Sequence, residues 1–206
     1  MEAQEFLELC KTGDLIKLKA ELDDDFDLSV FEDVDKEKNP LCHAKNGDVV
    51  DLLIEFDESD YLFSYQDDVP VIHAVIDGYI KQEVELSTLE QVAVNDSSLE
   101  RDWDGNCGDY AIHKAVRTGD IDIVKIILDA GSNTNICSND GDTPIGLAAQ
   151  KGSQEIVELL IEYGSPTKAA DFEFLIEFDD EDDIPDVEEP VDLAANDEIK
   201  NILLNA

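Results

Sequence analysis

The sequence predicts an all-α solenoid of stacked helix–turn–helix units, and three observations predict it. Two consecutive copies of one pattern fill the stretch from Asp102 to Pro166. A glycine recurs at Gly13, Gly47, Gly78, Gly119 and Gly152, at intervals of about 34, 31, 41 and 33 residues, close to the ~33-residue period of a helical array. Apolar residues recur at helical spacing on one face, as in Ile123, Ile126, Ile127 and then Ile156, Leu159, Leu160. Short helices with a single apolar face bury it only against neighbours, so at least about three units must stack.

In the first copy, Gly108-Asp109-Tyr110-Ala111-Ile112-His113-Lys114-Ala115 leads through Thr118-Gly119-Asp120 into an apolar run from Ile121 to Leu128 and then Ala130-Gly131. In the second, Gly141-Asp142-Thr143-Pro144-Ile145-Gly146-Leu147-Ala148-Ala149 leads through Lys151-Gly152 into Glu155 to Ile161 and then Tyr163-Gly164. Thr143-Pro144 opens a helix well, because the threonine oxygen accepts from an orphan N–H and proline at the first helical position loses no needed donor. Gly119 and Gly152 are expected to end the short first helices in a left-handed conformation. Ile126, Leu128, Leu159 and Leu160 are expected in the core. The doublet resembles the ankyrin repeat, whose signature is T-P-L-H-x-A, a glycine turn and an apolar second helix.

Overlaying the chain on this resemblance implies one domain over 1–206 with about six units including caps. An N-terminal cap (1–33) carries Glu5 to Asp14 and then Leu15-Ile16-Lys17-Leu18, with the polar outer face of a terminal repeat. The second unit (34–66) carries Asn39-Pro40-Leu41-Cys42-His43-Ala44, with a first helix one residue short, and a second helix after Gly47. The third (67–101) carries Val69 to Ala74, a glycine turn at Gly78, a second helix over 81–94 and an insertion from Asn95 to Arg101. Units 102–134 and 135–167 are the doublet. In 168–206 an acidic insertion, with Asp179-Asp180-Glu181-Asp182-Asp183, precedes a shortened repeat from Glu189 to Leu204 that reads as a C-terminal cap. That assignment makes the acidic stretch an inserted loop.

Charge narrows the function. With 52 acidic against 14 basic residues the formal net charge is −38, a surface that repels nucleic acid and anionic lipid and attracts basic proteins. No run approaches the ~18 apolar residues of a membrane helix, and Met1 to Phe6 lacks the basic region and long apolar run of a secretory signal. A cytoplasmic location is therefore expected. Cys10, Cys42, Cys107 and Cys137 form no C-x-x-C pair and read as thiols that are mostly buried.

No motif carries catalysis. His43, His73 and His113 all fall on first helices, and only His113 occupies the histidine position of the signature; structural hydrogen bonding is the reading for all three, with no metal and no cofactor. Counting twelve residues from Asp102 reaches His113 where an EF-hand needs glutamate, so a calcium loop fails. No phosphate-cradling glycine–lysine loop or nucleophile elbow is present. A non-enzymatic role follows.

The resemblance implies binding of another protein through the finger-like turns and the groove of first helices. The residue before the T-P position is Asp68, Asp109, Asp142 and, at the cap, Glu188, which predicts a row of negative charge along stacked units about 8–10 Å apart. Asp67, Asp104 and Asp140 extend it, and Trp103, Tyr61 and Tyr65 are aromatic residues set among carboxylates, the composition of interface anchors. The predicted partner is a basic protein such as a toxin, a nuclease or another nucleic-acid-handling protein, with no direct nucleic acid or membrane contact. The chain is expected to be a monomer on its own. Its expected role is a stoichiometric inhibitor or immunity protein, or a DNA mimic; the alternative is an acidic adaptor, scaffold or host-directed effector without inhibitory action.

Overall fold

The computed structural model describes residues 1–23, 26–31, 38–57, 62, 70–95, 109–173 and 184–206. These form two compact units, Met1–Ser98 and Leu99–Ala206. Among the described residues all regular secondary structure is helical apart from one isolated parallel bridge. None of these helices is long and apolar enough to cross a membrane.

The first unit opens with helix α1 (Ala3–Thr12), ended by Gly13 at φ 71°, and α2 (Leu15–Asp23). Phe6, fully buried, stacks on Phe26 with ring centroids 4.3 Å apart and also meets Phe31. The three rings pack on one another and supply apolar surface around α1. The expected first helix of the second unit is only a 3-10 turn, Pro40–His43, started by Asn39, which accepts from the Leu41 N–H at 2.9 Å. It is cut short because the backbone leaves helical geometry at Ala44 (ψ 120°) and Asn46 already caps the next helix. Helix α3 (Gly47–Phe56) follows, N-capped by Asn46, whose side chain accepts from the Val49 N–H at 3.2 Å. Then come α4 (Val71–Ile80) and α5 (Leu86–Asn95). Helix α1 packs on α2 and on the 3-10 turn, α2 on α3, and α5 on both α3 and α4.

Two glycines read as helix-ending turns do something else. Gly47 is the first residue of α3, and a Cβ there would lie 2.9 Å from the Ser87 carbonyl oxygen; the glycine lets α5 approach. Gly78 lies inside α4, which runs on to Ile80, and the left-handed residue is Gln82 at φ 61°. The second helix therefore starts at Leu86 and not at 81, because residues 81–85 make that turn. A pair of substitutions separates the two cases. Gly47→Ala is expected to destabilise by about 1–3 kcal/mol through overpacking. Gly78→Ala meets Val84 at 3.4 Å and the Cys42 carbonyl oxygen at 3.9 Å, both ordinary contacts, and should stabilise by about 0.5–1 kcal/mol by removing backbone entropy from the unfolded chain. Urea denaturation midpoints check both.

The second unit is the more regular. Helix α6 (Ala111–Thr118) ends at Gly119, φ 77°, and α8 (Pro144–Lys151) ends at Gly152, φ 78°, as the left-handed turn requires. Helix α7 (Ile121–Asp129) is capped by Asp120, which accepts from the Asp122 N–H at 2.9 Å. Thr143 caps α8 by accepting from the Gly146 N–H at 3.0 Å. Helix α9 (Gln154–Glu162) and the terminal α10 (Asp197–Asn205) complete the unit. Helix α6 packs on α7 and α8, α9 on α7 and α8, and α10 on α9. In place of the expected first helix of a C-terminal cap, residues 190–193 form only a turn. The apolar stripes are rotated slightly from the sequence reading. Ile123, Val124, Ile127, Leu128, Ile156, Val157 and Leu160 are buried, whereas Ile126 and Leu159 are half-buried at the edge of the stripe.

The same stitch joins neighbouring repeats in both units. The Lys45 N–H donates to the Cys10 carbonyl and the Ala195 N–H to the Ala149 carbonyl, each at 3.0 Å. Both acceptors sit three residues before a left-handed glycine, Gly13 and Gly152. Each bond gives a second donor to a carbonyl of the last helical turn that also accepts from the capping glycine, Gly13 at 3.3 Å and Gly152 at 3.1 Å.

Candidate partner-binding site

In the second unit the residues before each first helix converge on Asp142. The finger turn is built by Ser138, whose N–H donates to the Asp142 carbonyl at 2.9 Å while its Oγ accepts from the Asp142 N–H at 3.1 Å. Fully buried His113 reaches the same carbonyl from α6, with Nε2 3.0 Å from the oxygen, and its Nδ1 accepts from the Tyr110 N–H at 3.3 Å. These two contacts assign the proton to Nε2. Burial pushes the imidazole down to about 4, against the opposing charge of Asp109 and the Asp142 hydrogen bond, so His113 is neutral at pH 7. The signature histidine is thus a structural tie between repeats, as expected.

Arg117 changes the reading of the acidic row. Its Nε donates to Asp109 Oδ2 at 2.6 Å and its Nη2 to Asp109 Oδ1 at 3.2 Å and to Asp142 Oδ2 at 2.6 Å. Asp109 and Asp142 therefore do not present two free negative charges; they share one guanidinium. Asp109 is also buried, with its side chain 7% exposed, whereas those of Asp142 and Arg117 are each 40% exposed. The physical reason is direct. A buried carboxylate needs a partner, and the planar fork of arginine serves two carboxylates at once where stacking brings them together. Burial alone would lower the guanidinium pKa, but the hydrogen bonds and charges of Asp109 and then Asp142 hold it above its ordinary value.

Three carboxylates outside this bridge, together with Asp142 itself, surround a cavity. About 280 Å³ in volume, it is lined by Asp140 and Asp142 from the finger, by Asp186 and Glu188 from the segment returning after 183, and by Gly146, Leu147 and Leu193. Asp140, Asp186 and Glu188 are exposed and make no ion pair among the described residues. Of the residues named from sequence, the structure brings Asp140, Asp142 and Glu188 together here and sets Asp109 beneath them. Asp67, Asp68, Tyr61, Tyr65, Trp103 and Asp104 lie outside the described residues. Sequence reasoning missed Asp186 and Arg117. Arg117 had a signal: it is one of only 14 basic residues in the chain and sits in the last turn of the first helix. Asp186 had none, because its place depends on how the inserted segment returns.

The described residues contain no group of three or more His, Cys, Asp or Glu side chains placed to hold a metal ion. None of the described cysteines forms a disulfide, and burial pushes the Cys10 thiol up to about 12 and the Cys137 thiol up to about 11. These two thiols are packing groups.

Comparison with known proteins agrees with this architecture. Residues 84–171 match the family model described as ankyrin repeats in three copies. Among solved structures, the ankyrin repeat domain of Bcl-3, titled a unique member of the IkappaB protein family, is similar with a TM-score of 0.60 at 14% identity, over 82% of this chain and 66% of that one. The chain thus spans about two thirds of that domain's length. No curated protein matches by sequence. Residues 84–171 thus match ankyrin repeats, and the chain has the fold of an ankyrin-repeat domain.

Proposed function

We propose that this chain binds a basic protein through the acidic pocket of its second unit, and that it acts as a stoichiometric inhibitor or immunity protein, blocking a toxin, a nuclease or another nucleic-acid-handling protein. Ankyrin repeats are protein-binding modules; the charge supplies the finer part of the reading. The observation that carries it is the 280 Å³ cavity edged by Asp140, Asp142, Asp186 and Glu188. A lysine or arginine side chain entering it lays its apolar stem along Leu147 and Leu193 and brings its charge to the carboxylates. A net charge of −38 steers such a partner in and competes with the phosphates it would otherwise hold.

Affinity capture from the source organism's extract at low and then high salt tests this. One basic protein should be retained at equal stoichiometry at low salt and released at high salt, and the triple variant Asp140→Lys, Asp186→Lys, Glu188→Lys should retain at least about tenfold less. Asp109 and Asp142 are left untouched because reversing them would break the Arg117 bridge and unfold the site. Equal retention by the variant would overturn the inhibitor reading in favour of an adaptor whose acidity serves solubility.

A further inference from the structure

The segments on either side of residues 174–183 are fastened to one finger. On the near side, the Glu173 N–H donates to the Asn135 carbonyl at 2.7 Å and the Cys137 N–H to the Glu173 carbonyl at 2.8 Å, a parallel bridge between Ile136 and Glu173. On the far side, Pro185 and Asp186 lie directly over Gly141, where a Cβ would meet the Asp186 carbonyl oxygen at 2.7 Å and Pro185 Cβ at 3.2 Å. The two sides are also joined to each other, since the Ala169 N–H donates to Glu189 Oε2 at 3.1 Å.

We propose that residues 169–173 and 184–189 form a strap that docks on the finger of residues 135–142 and undocks from it as one element. The local balance favours this over a rigid attachment. Asp171, Glu173, Ile184, Asp186, Glu188 and Glu189 are exposed, and Phe172, Pro185 and Val187 are only half-buried. A segment held by few backbone bonds and little buried apolar surface opens at lower free energy than the core beneath it.

Docking has an electrostatic consequence. The strap supplies Asp186 and Glu188, and the finger supplies Asp140 and the Arg117-bridged Asp142, so docking gathers three carboxylates without an ion pair among the described residues, and a fourth that has one, around one cavity. Like charges oppose the docked state, and a cation seated among them favours it. A cationic side chain that binds the docked form therefore closes the strap, and strap docking strengthens its binding by the same factor. This coupling rests on the partner-binding reading above; the strap itself does not.

Amide hydrogen exchange on the full chain tests both parts. In the wild type, Cys137 and Glu173 should exchange together, well before core amides such as Leu160. Gly141→Ala should speed both by about tenfold more than Gly131→Ala does, because the first adds a clash with the strap. The second adds only the strain of a positive φ: Gly131 has φ 93° and nothing within 4 Å of a Cβ. Exchange of Cys137 and Glu173 no faster than Leu160, or equal effects of the two substitutions, would overturn the strap. Tetra-arginine amide should slow exchange at Cys137 and Glu173 in the wild type and bind about tenfold more weakly to Gly141→Ala. Binding without slowing overturns the coupling alone. Absence of binding overturns the pocket reading, and the unliganded comparison still decides the strap.

Discussion

Replacing Arg117 by alanine is expected to lower the unfolding free energy by about 3 kcal/mol. The loss does not come from a surface ion pair, which would be worth about 0–1 kcal/mol. It comes from Asp109, whose side chain is only 7% exposed and would be left as a buried carboxylate without its bidentate partner. Breaking a buried pair from one side costs about 3–5 kcal/mol, and the 40% exposure of Arg117 sets the figure at the lower end. Arg117→Lys should recover only part, since an ammonium cannot fork between Asp109 and Asp142. Asp109→Asn in the Arg117→Ala background should recover more, because the stranded charge is gone. Urea denaturation of Arg117→Ala, Asp109→Asn and the double variant, read as a double-mutant cycle with Arg117→Lys alongside, measures this. A loss under about 1 kcal/mol for Arg117→Ala would mean that water reaches Asp109 far better than its burial indicates.

Acidification should expose the second tie between the same repeats. An unfolded imidazole takes its proton near 6.5, whereas buried His113 takes it only near 4. Between these values the unfolded chain binds more protons, so stability falls as the pH falls across that window. It is unaffected by this group above the unfolded value and levels off below the folded one. The window is worth about 3 kcal/mol at ~1.36 kcal/mol per unit. Carboxylates also titrate there, so the quantity to follow is the difference between the wild type and His113→Asn. Asparagine keeps an amide donor for the Asp142 carbonyl and takes no proton. The wild type should lose about 3 kcal/mol more than the variant between pH 6.5 and 4. Parallel pH profiles would show that His113 titrates normally.

Much of the second unit was legible in the sequence because its signals are local. Thr143-Pro144 fixes where α8 starts, Gly119 and Gly152 fix where the first helices end, and the stripe through Ile123, Ile127, Ile156 and Leu160 fixes which face is buried. The first unit was harder, since the same residue type served different ends. Gly47 and Gly78 look like Gly119 in a one-dimensional overlay, yet one admits α5 and the other sits within a helix. Nothing near either glycine in the chain reports that neighbour.

The candidate site was partly legible for the same reason. Asp142 was named by register and Glu188 by its place before Pro190, with Asp140 as a neighbouring carboxylate, and all three line the cavity. Register alone could not show that Asp109 lies under the surface with Arg117 folded back over it. That pairing spans two helical turns and two repeats. Asp186 is brought in by a contact between distant segments, Pro185-Asp186 over Gly141, which exists only after the inserted segment returns. The acidic row of the sequence is thus divided into an inner pair, Asp109 and Asp142, that shares the one charge of Arg117, and an outer set, Asp140, Asp186 and Glu188, without an ion pair among the described residues.

An NMR titration of the full chain with tetra-arginine amide tests that division most directly. Amide shifts should centre on Asp140 to Gly146 and on Asp186 to Glu188. Binding should weaken steeply between about 50 and 200 mM salt, and the Arg117 side-chain signals should stay in place. Shifts spread evenly over the glutamates of α1 and α2, or displacement of Arg117 from Asp109, would contradict the account.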